Sequence, residues 1–453
     1  MAVTRNSRFP DVLAAVRAVL AARAGARQRV CVGLSGGVDS SVLLDCAARL
    51  QPELGFHLSA LHVHHGLSPN ADAWAKHCQA LCERLEVPLQ ITRVTVVEQG
   101  EGVEAAARHA RYGAFSQCGA DYLLLAHHAD DQAETLLHNL LRGAGVKGAA
   151  AMPAERPLCG DGLRLLRPLL GLRRAALVAY ARERGMDWIE DEANVNPRYA
   201  RSALRHEILP CIEKRWPAAV TTLVRAAARF AEADELLQQI GLSDLRACER
   251  EGGLDVAAIS LLPASRARNC LRVWLAEHGV APPTSQRLAE WLRQLESAAE
   301  ARTMAWHTAG KLVFRYRGLL LCAPLPNDVP ACVAWRREPE IDWGGTTIAL
   351  RPAWGAGLLG ERLDRAQVEF RRRAGGEKLR IGGHLRALKQ LCQEHGVAPP
   401  LRSVMPLMYC DGELVWVPGV GCADTWSAGP AQPGLLPDWS IAAPPGRVRE
   451  ASD

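Results

Sequence analysis

The sequence predicts an α/β protein: a doubly wound parallel sheet, followed by a helical domain and a small α+β C-terminal domain. Three observations carry this. Short apolar runs alternate with helix-period segments from residue 29 to residue 184. Near Trp216-Pro217 the alternation gives way to Ala/Leu/Arg/Glu-rich stretches. Three prolines then fall within 324–330, after which short apolar runs return. Strand–helix alternation of that length is the pattern of a parallel sheet with crossover helices. With 453 residues, the chain has length for roughly three domains.

In order, residues 12–28 set Ala, Val and Leu against Arg at helical spacing, and 29–34 reads as a short buried strand entering a glycine-rich turn. A helix at 41–50 follows. The pattern continues with strand 58–64, helix 72–85, strand 89–97, helix 103–118, strand 122–126, helix 131–141, strand 163–166 and helix 173–184. Ligands of such sheets bind at the carboxyl ends of the strands, where the chain turns into the next helix. Helical stretches at 221–240 and 265–277 mark the second domain, and apolar runs at 347–350 and 414–417 the third. The expected boundaries are 1–216, 217–324 and 331–440, with a loose tail at 441–453.

Composition narrows the function. At 48% hydrophobic and 23% charged residues the chain has material for several cores and is not a disordered polymer. It shows no apolar leader and no run of 18 uncharged apolar residues, so membrane spanning and export are not expected, and a cytoplasmic location is. Fourteen cysteines are spread singly with no Cys-x-x-Cys, which speaks for reduced thiols and against a structural zinc or iron–sulfur site. A net charge of +5 permits a polyanionic partner without demanding one.

The segment Ser35-Gly36-Gly37-Val38-Asp39-Ser40-Ser41 lies between the first strand and its helix, where backbone N–H groups and hydroxyls gather around an anion. A plain turn capped by Ser or Asp is the bland alternative. There is no Gly-x-x-x-x-Gly-Lys-[Ser/Thr], so the lysine that serves γ-phosphoryl transfer is missing. After the fourth strand, His127, His128, Asp130, Asp131 and Glu134 place several possible proton acceptors together at a strand's carboxyl end. Helix capping competes as an explanation for Asp130, and a separate zinc ion is disfavoured. His62 and His64 face one side of their strand and His65 the other. Arg108 and Arg111 either hold a phosphate or lie on an exposed helix face, with Glu104 pairing Arg108 for only ~0.2–0.5 kcal/mol.

Ser-Gly-Gly-x-Asp-Ser resembles the PP-loop of the N-type ATP pyrophosphatases, which release pyrophosphate while adenylating a substrate. Further segments narrow the resemblance: Leu61-His-Val-His-His-Gly-Leu67, Ala107-Arg108-His-Ala-Arg111-Tyr112, Ala126-His-His-Ala-Asp-Asp-Gln-Ala-Glu-Thr135, and Trp188-Ile-Glu-Asp-Glu-Ala-Asn194 ahead of Arg198-Tyr-Ala-Arg-Ser-Ala-Leu-Arg205. Together they closely resemble the tRNA(Ile)-lysidine synthetase family. The resemblance runs from about 28 to 216, weakens through the helical domain and returns around 370–402.

That resemblance implies an adenine nucleotide alpha hydrolase-like fold, ATP and magnesium as cofactors, and a tRNA with a CAU anticodon and L-lysine as substrates. ATP adenylates oxygen 2 of the wobble cytidine, the lysine ε-amine attacks carbon 2, and AMP leaves. The lysidine formed makes the tRNA read AUA in place of AUG and accept isoleucine in place of methionine. Asp39 would hold the magnesium; Ser35, Gly36, Gly37, Val38, Ser40 and Ser41 would line the loop; the adenine would lie against backbone around Val63. Asp39, His128, Asp131 and Arg108 are the expected catalytic set. Arg111, His127, Asp130, Glu134, Arg201 and Arg205 are expected to meet RNA or lysine. Between 365 and 389 eight cations face two acids, and this block resembles the family's RNA-binding end. Arg371, Arg372, Arg373, Lys378, Arg386 and Lys389 are its candidate phosphate ligands, with an amphipathic helix expected over 382–392. A homodimer is an admissible assembly. The competing readings are a tRNA-thiolating PP-loop enzyme, which the missing Cys-x-x-Cys opposes, an RNA-binding protein with an inactive loop, and a small-molecule amidating enzyme.

Overall fold

A computed structural model describes residues 11–440 except 67, 97–101, 160–161, 191–199, 251, 298–303, 309 and 327. The first ten residues, 191–194, Arg198 and the tail 441–453 therefore lie outside the described residues, as does the Glu104 side chain. The chain divides into two compact units, Met1–Leu236 and Leu237–Asp453, the division falling inside the helix Ala219–Cys248.

The first unit is built on a six-stranded sheet of β1 (Arg29–Gly33), β2 (His57–His64), β3 (Leu89–Arg93), β4 (Tyr122–Leu124), β5 (Glu155–Cys159) and β6 (Leu163–Leu166), in the order β3-β2-β1-β4-β6-β5. All neighbours are parallel except β5, which runs antiparallel to β6 at the edge. This strand was not expected, since Pro157 interrupts its pattern; an edge tolerates proline because only one side of the strand is paired. The helices are α1 (Val12–Arg23), α2 (Val38–Leu54), α3 (Ala71–Arg84), α4 (Val103–Ser116), α5 (Ala129–Leu141), α6 (Val146–Ala149) and α7 (Arg174–Glu183).

Alternation along the strands explains the layers. Val30, Val32, Ala60 and Leu124 bury against one set of helices, with Leu20 of α1, Leu43 of α2 and Leu177 of α7. Cys31, Leu61, Val63, Leu123 and Leu165 face the other way, onto Phe115 of α4. The strand order reverses between β1 and β4, so the chains leaving those two strands diverge and open a crevice. The phosphate loop and the His/Asp segment are the two chains that do so.

Gly36 has φ +88°, its carbonyl accepts from the Ile189 N–H at 2.9 Å, and an added Cβ would sit 2.7 Å from Ile189 Cδ1. Gly36→Ala is therefore expected to cost about 1–2 kcal/mol in a denaturant melt and to weaken nucleotide binding. Unchanged binding would show that the loop does not need this conformation.

In the second unit, the helices Ala264–Glu277 and Ser285–Ser297 are joined by a five-stranded antiparallel sheet that includes Lys311–Tyr316 and Leu319–Pro324. The uniformly apolar run at 319–324 carries no period that separates strand from helix, and the Arg317-Gly318 turn lacks the Asn-Gly or Asp-Gly signature. Both turn residues have positive φ, as a tight hairpin requires. Beyond it, a five-stranded and a four-stranded sheet enclose Trp343, Phe370, Leu407 and Trp416. The helix expected over 382–392 is shorter. Gly382 and Gly383, both at positive φ, turn a hairpin between Lys378–Ile381 and His384–Ala387, and only Leu388–Glu394 is helical. Among the described residues no helix is long and apolar enough to cross a membrane.

Candidate active site

The phosphate loop is held from within by its own serines. Ser40 Oγ donates to the Gly37 carbonyl at 3.0 Å, lies 3.0 Å from Ser35 Oγ and accepts from the Ser35 N–H at 3.2 Å. Ser41 N–H closes the first turn of α2 on the Gly37 carbonyl. Gly37 is the N-cap of α2 and no side chain caps it, so the N-terminal N–H groups remain for an anion. Asp39 stands in this first turn. Its Oδ1 is buried with no hydrogen-bond partner, while Oδ2 lies 3.7 Å from His128 Nε2 and 3.7 Å from Arg174 Nε.

The chain leaving β4 supplies the facing wall. His128 is the N-cap of α5: its Nδ1 accepts from the Asp131 N–H at 3.4 Å, and its own N–H donates to Asp131 Oδ2 at 3.0 Å. Capping thus belongs to His128 and Asp131 and not to Asp130, because the helix starts one residue earlier than Asp130. Asp130 accepts instead from Arg173 Nε at 3.1 Å and the Arg174 N–H at 2.8 Å, which ties α5 to α7. Burial works against ionisation of Asp130, but these donors prevail and hold its carboxyl below the usual range. Burial likewise opposes protonation of His128, yet the carboxylates of Asp39, Asp131 and Asp130 outweigh it and raise its pKa.

Arg205 reaches into the same cluster. Its Nε lies 2.6 Å from Glu134 Oε1, and its Nη2 lies 2.9 Å from Glu134 Oε2 and 2.6 Å from Asp131 Oδ1. Glu134 is buried, and that burial raises its pKa in spite of Arg205. In this arrangement Arg205, expected at RNA or lysine, is the cation that the two carboxylates already hold. Arg201 is exposed on the short helix Ala200–Ala203 that precedes it.

A cleft of about 220 Å³ runs from the loop residues Ser35, Gly37, Asp39 and Ser40 past Val63 and His65 of the β2 end to Arg108, Arg111 and Tyr112 of α4, with His127 on the β4 side. Its floor is apolar, with Leu61, Phe115 and Leu125, which suits a flat base. His62 is buried, its Nδ1 bonded to the Leu34 carbonyl, and His64 is bonded to Asp72, so these two imidazoles are structural. His65, on the cleft side, is driven to about 4 by burial and by Arg111. His127 falls to about 3, through burial and then the positive charge of Arg167, Arg108 and Arg111. Val38 is buried under the loop and packs in the core.

Arg167, Arg173, Arg174 and Tyr112 were not singled out from the sequence as site residues. Arg173 and Arg174 open α7, where cations oppose the helix dipole, and that misplacement was the available signal. Thirteen described cysteines are free, and no group of three or more metal-ligating side chains gathers among the described residues.

In the second unit the basic block is partly neutralised. Arg371 pairs with Glu369, Arg373 with Glu377 at 3.3 Å and Arg386 with Glu394 at 2.5 Å. Arg372, Lys378 and Arg380 are exposed on strands, and no carboxylate pairs with them or with Lys389 among the described residues.

Comparison with known proteins agrees with this geometry. A PP-loop domain model matches residues 12–212, a TilS substrate binding domain 254–321 and a TilS substrate C-terminal domain 367–439. A tRNA(Ile)-lysidine synthase of Aromatoleum aromaticum is 43% identical over 93% of this chain and 99% of the relative. One from Azoarcus sp. is 40% identical over 98% and 97%, and one from Chromobacterium violaceum 43% over 91% and 95%. With a PP-loop cradle at the sheet's switch point and relatives matched over nearly their whole length, the chain belongs to the tRNA(Ile)-lysidine synthase family.

Proposed function

We propose that the protein joins L-lysine to carbon 2 of the wobble cytidine in a CAU-anticodon isoleucine tRNA, consuming ATP and releasing pyrophosphate and AMP. The observation that supports this best is the adjacency of two sites. His128 touches both the aspartate of the nucleotide loop and the carboxylate cluster on α5, with its Nε2 3.7 Å from Asp39 and 3.4 Å from Asp131.

In the first half-reaction, oxygen 2 of the cytidine attacks the α-phosphorus and the bond to pyrophosphate breaks. The N–H groups at the start of α2, in a loop held by the Ser35 and Ser40 hydroxyls, face the departing charge. Asp39 fits a magnesium ion, since its buried Oδ1 has no other partner; such an ion would neutralise charge on the phosphates. In the second half-reaction the lysine amine attacks carbon 2, the carbon–oxygen bond breaks and AMP carries the oxygen away. Free lysine titrates near 10.4 and arrives as an ammonium, so it must be bound and deprotonated. Asp131 and Glu134 are the acceptors placed to do so once Arg205 yields them. Lysine-dependent release of AMP with radiolabel entering the RNA is the expected result; pyrophosphate release with no label in the RNA would point to another nucleophile, as in the thiolating PP-loop enzymes.

RNA affinity is assigned to the second unit, a domain at 331–440 being its carrier. Because Arg371 and Arg373 are paired with carboxylates, Arg372, Lys378, Arg380 and Lys389 are the favoured candidates for phosphate binding. Replacing Arg372, Lys378 and Arg380 by Met is expected to make the salt slope of RNA binding shallower by about one for each RNA phosphate that these side chains neutralise. Filter binding across a KCl series reads this, and an unchanged slope would remove the hairpin from the interface.

A further inference from the structure

Around Tyr112 and His127, which line the cleft, more positive charge gathers than the sequence motifs account for. Arg108 donates to the Tyr112 hydroxyl at 3.3 Å, with its Cζ 4.9 Å from the ring centroid. Arg156, on the edge strand β5, lies over the same ring at 5.1 Å. Arg167, just past β6, is only 4% exposed; its Nε donates to His127 Nδ1 at 3.2 Å and its Nη1 to the Pro153 carbonyl at 2.6 Å. All of these partners are neutral. His127 Nδ1 faces an N–H and must offer a lone pair, so this imidazole carries its proton on Nε2 and adds no negative charge. Among the described side chains no carboxylate forms an ion pair with Arg156 or Arg167. Of the three only Arg167 is buried; a guanidinium held there without a counter-charge is costly, and an anion bound close by lowers that cost.

We propose that Arg108 and Arg156, on either side of Tyr112 and backed by the buried charge of Arg167, form a second anion subsite at the edge of the cleft, separate from the phosphate loop, that takes a phosphate ester. The planar fork of a guanidinium suits two phosphate oxygens at once. Arg108, Tyr112 and His127 line the same cleft as the loop, so a ligand filling it meets both. Two sources present this chemistry, the α-phosphate of ATP and a phosphodiester of the RNA beside the reacting base. The assignment rests on reading the cleft as an ATP and RNA site.

The test uses the full chain with Arg156→Met, Arg156→Lys and Arg167→Met, measuring ATP binding by equilibrium dialysis and binding of a CAU-anticodon transcript by filter retention at several salt concentrations. Arg156→Met is expected to weaken one of the two by about tenfold with an unchanged melting temperature, and Arg156→Lys to recover part of it. Weakened ATP binding identifies the α-phosphate as the occupant; weakened RNA binding with a shallower salt slope identifies the phosphodiester. Unchanged affinity for both in Arg156→Met, or an Arg167→Met protein that loses stability yet binds both normally, overturns the subsite. Failure of the wild-type protein to incorporate lysine would instead refute the proposed reaction and leave these affinities readable.

Discussion

Asp39→Asn is expected to cut pyrophosphate release by at least about a hundredfold while leaving RNA binding intact. The substitution keeps the shape of the side chain and removes its charge. Oδ2 faces His128 and Arg174, whereas Oδ1 is buried and has no partner within the fold, and it is this oxygen that the proposed magnesium would take. An amide at this position offers one oxygen and no charge, which weakens a hard divalent ion most. Loss of RNA binding with normal pyrophosphate release would contradict the role given to Asp39.

Arg205→Met is expected to lower stability by about 2 kcal/mol at neutral pH, less than for a fully buried pair because Arg205 is partly exposed. Its fork holds Glu134, whose side chain is only 5% exposed, and bridges to Asp131. The deficit should also depend on pH in a definite direction. Burial raises the Glu134 pKa above 4.5 even with Arg205 present, so the folded state keeps that proton more tightly than the unfolded chain does. Stability from a raised pKa is fully present below the unfolded value and is lost as pH rises through the folded one. Without Arg205 the rise is larger, so urea melts at falling pH should bring variant and wild type together. A constant gap from neutral pH down to 4.5 would mean that the pairing is not what Arg205 contributes.

Much of this architecture was legible in advance because the β1-to-α7 alternation is a local signal, repeated often enough to define a parallel sheet. The phosphate loop was legible for the same reason: its residues are contiguous. Pairing across the sheet was not. Arg167 meets His127 across 40 residues because β6 lies beside β4, and Arg205 meets Glu134 across 71 because the helical turn Leu204–Ile208 packs on α5. His128 looked like chemistry alone, whereas it is also the cap of α5, since an imidazole Nδ1 accepts a backbone N–H as a serine hydroxyl does. The hairpin at Lys378–Ala387 was hidden by a run that is amphipathic at either period, and its Gly382-Gly383 turn decided between them.

The most direct test of the central claim, that one cleft activates a base and delivers an amine to it, is the mass of the wobble nucleoside recovered from a CAU-anticodon transcript. The transcript is incubated with the protein, magnesium-ATP and lysine. The account predicts a cytidine heavier by one lysine less one water, formed only when ATP and lysine are both present. Unmodified cytidine alongside continuing AMP and pyrophosphate release, or a nucleoside bearing sulfur, would contradict it.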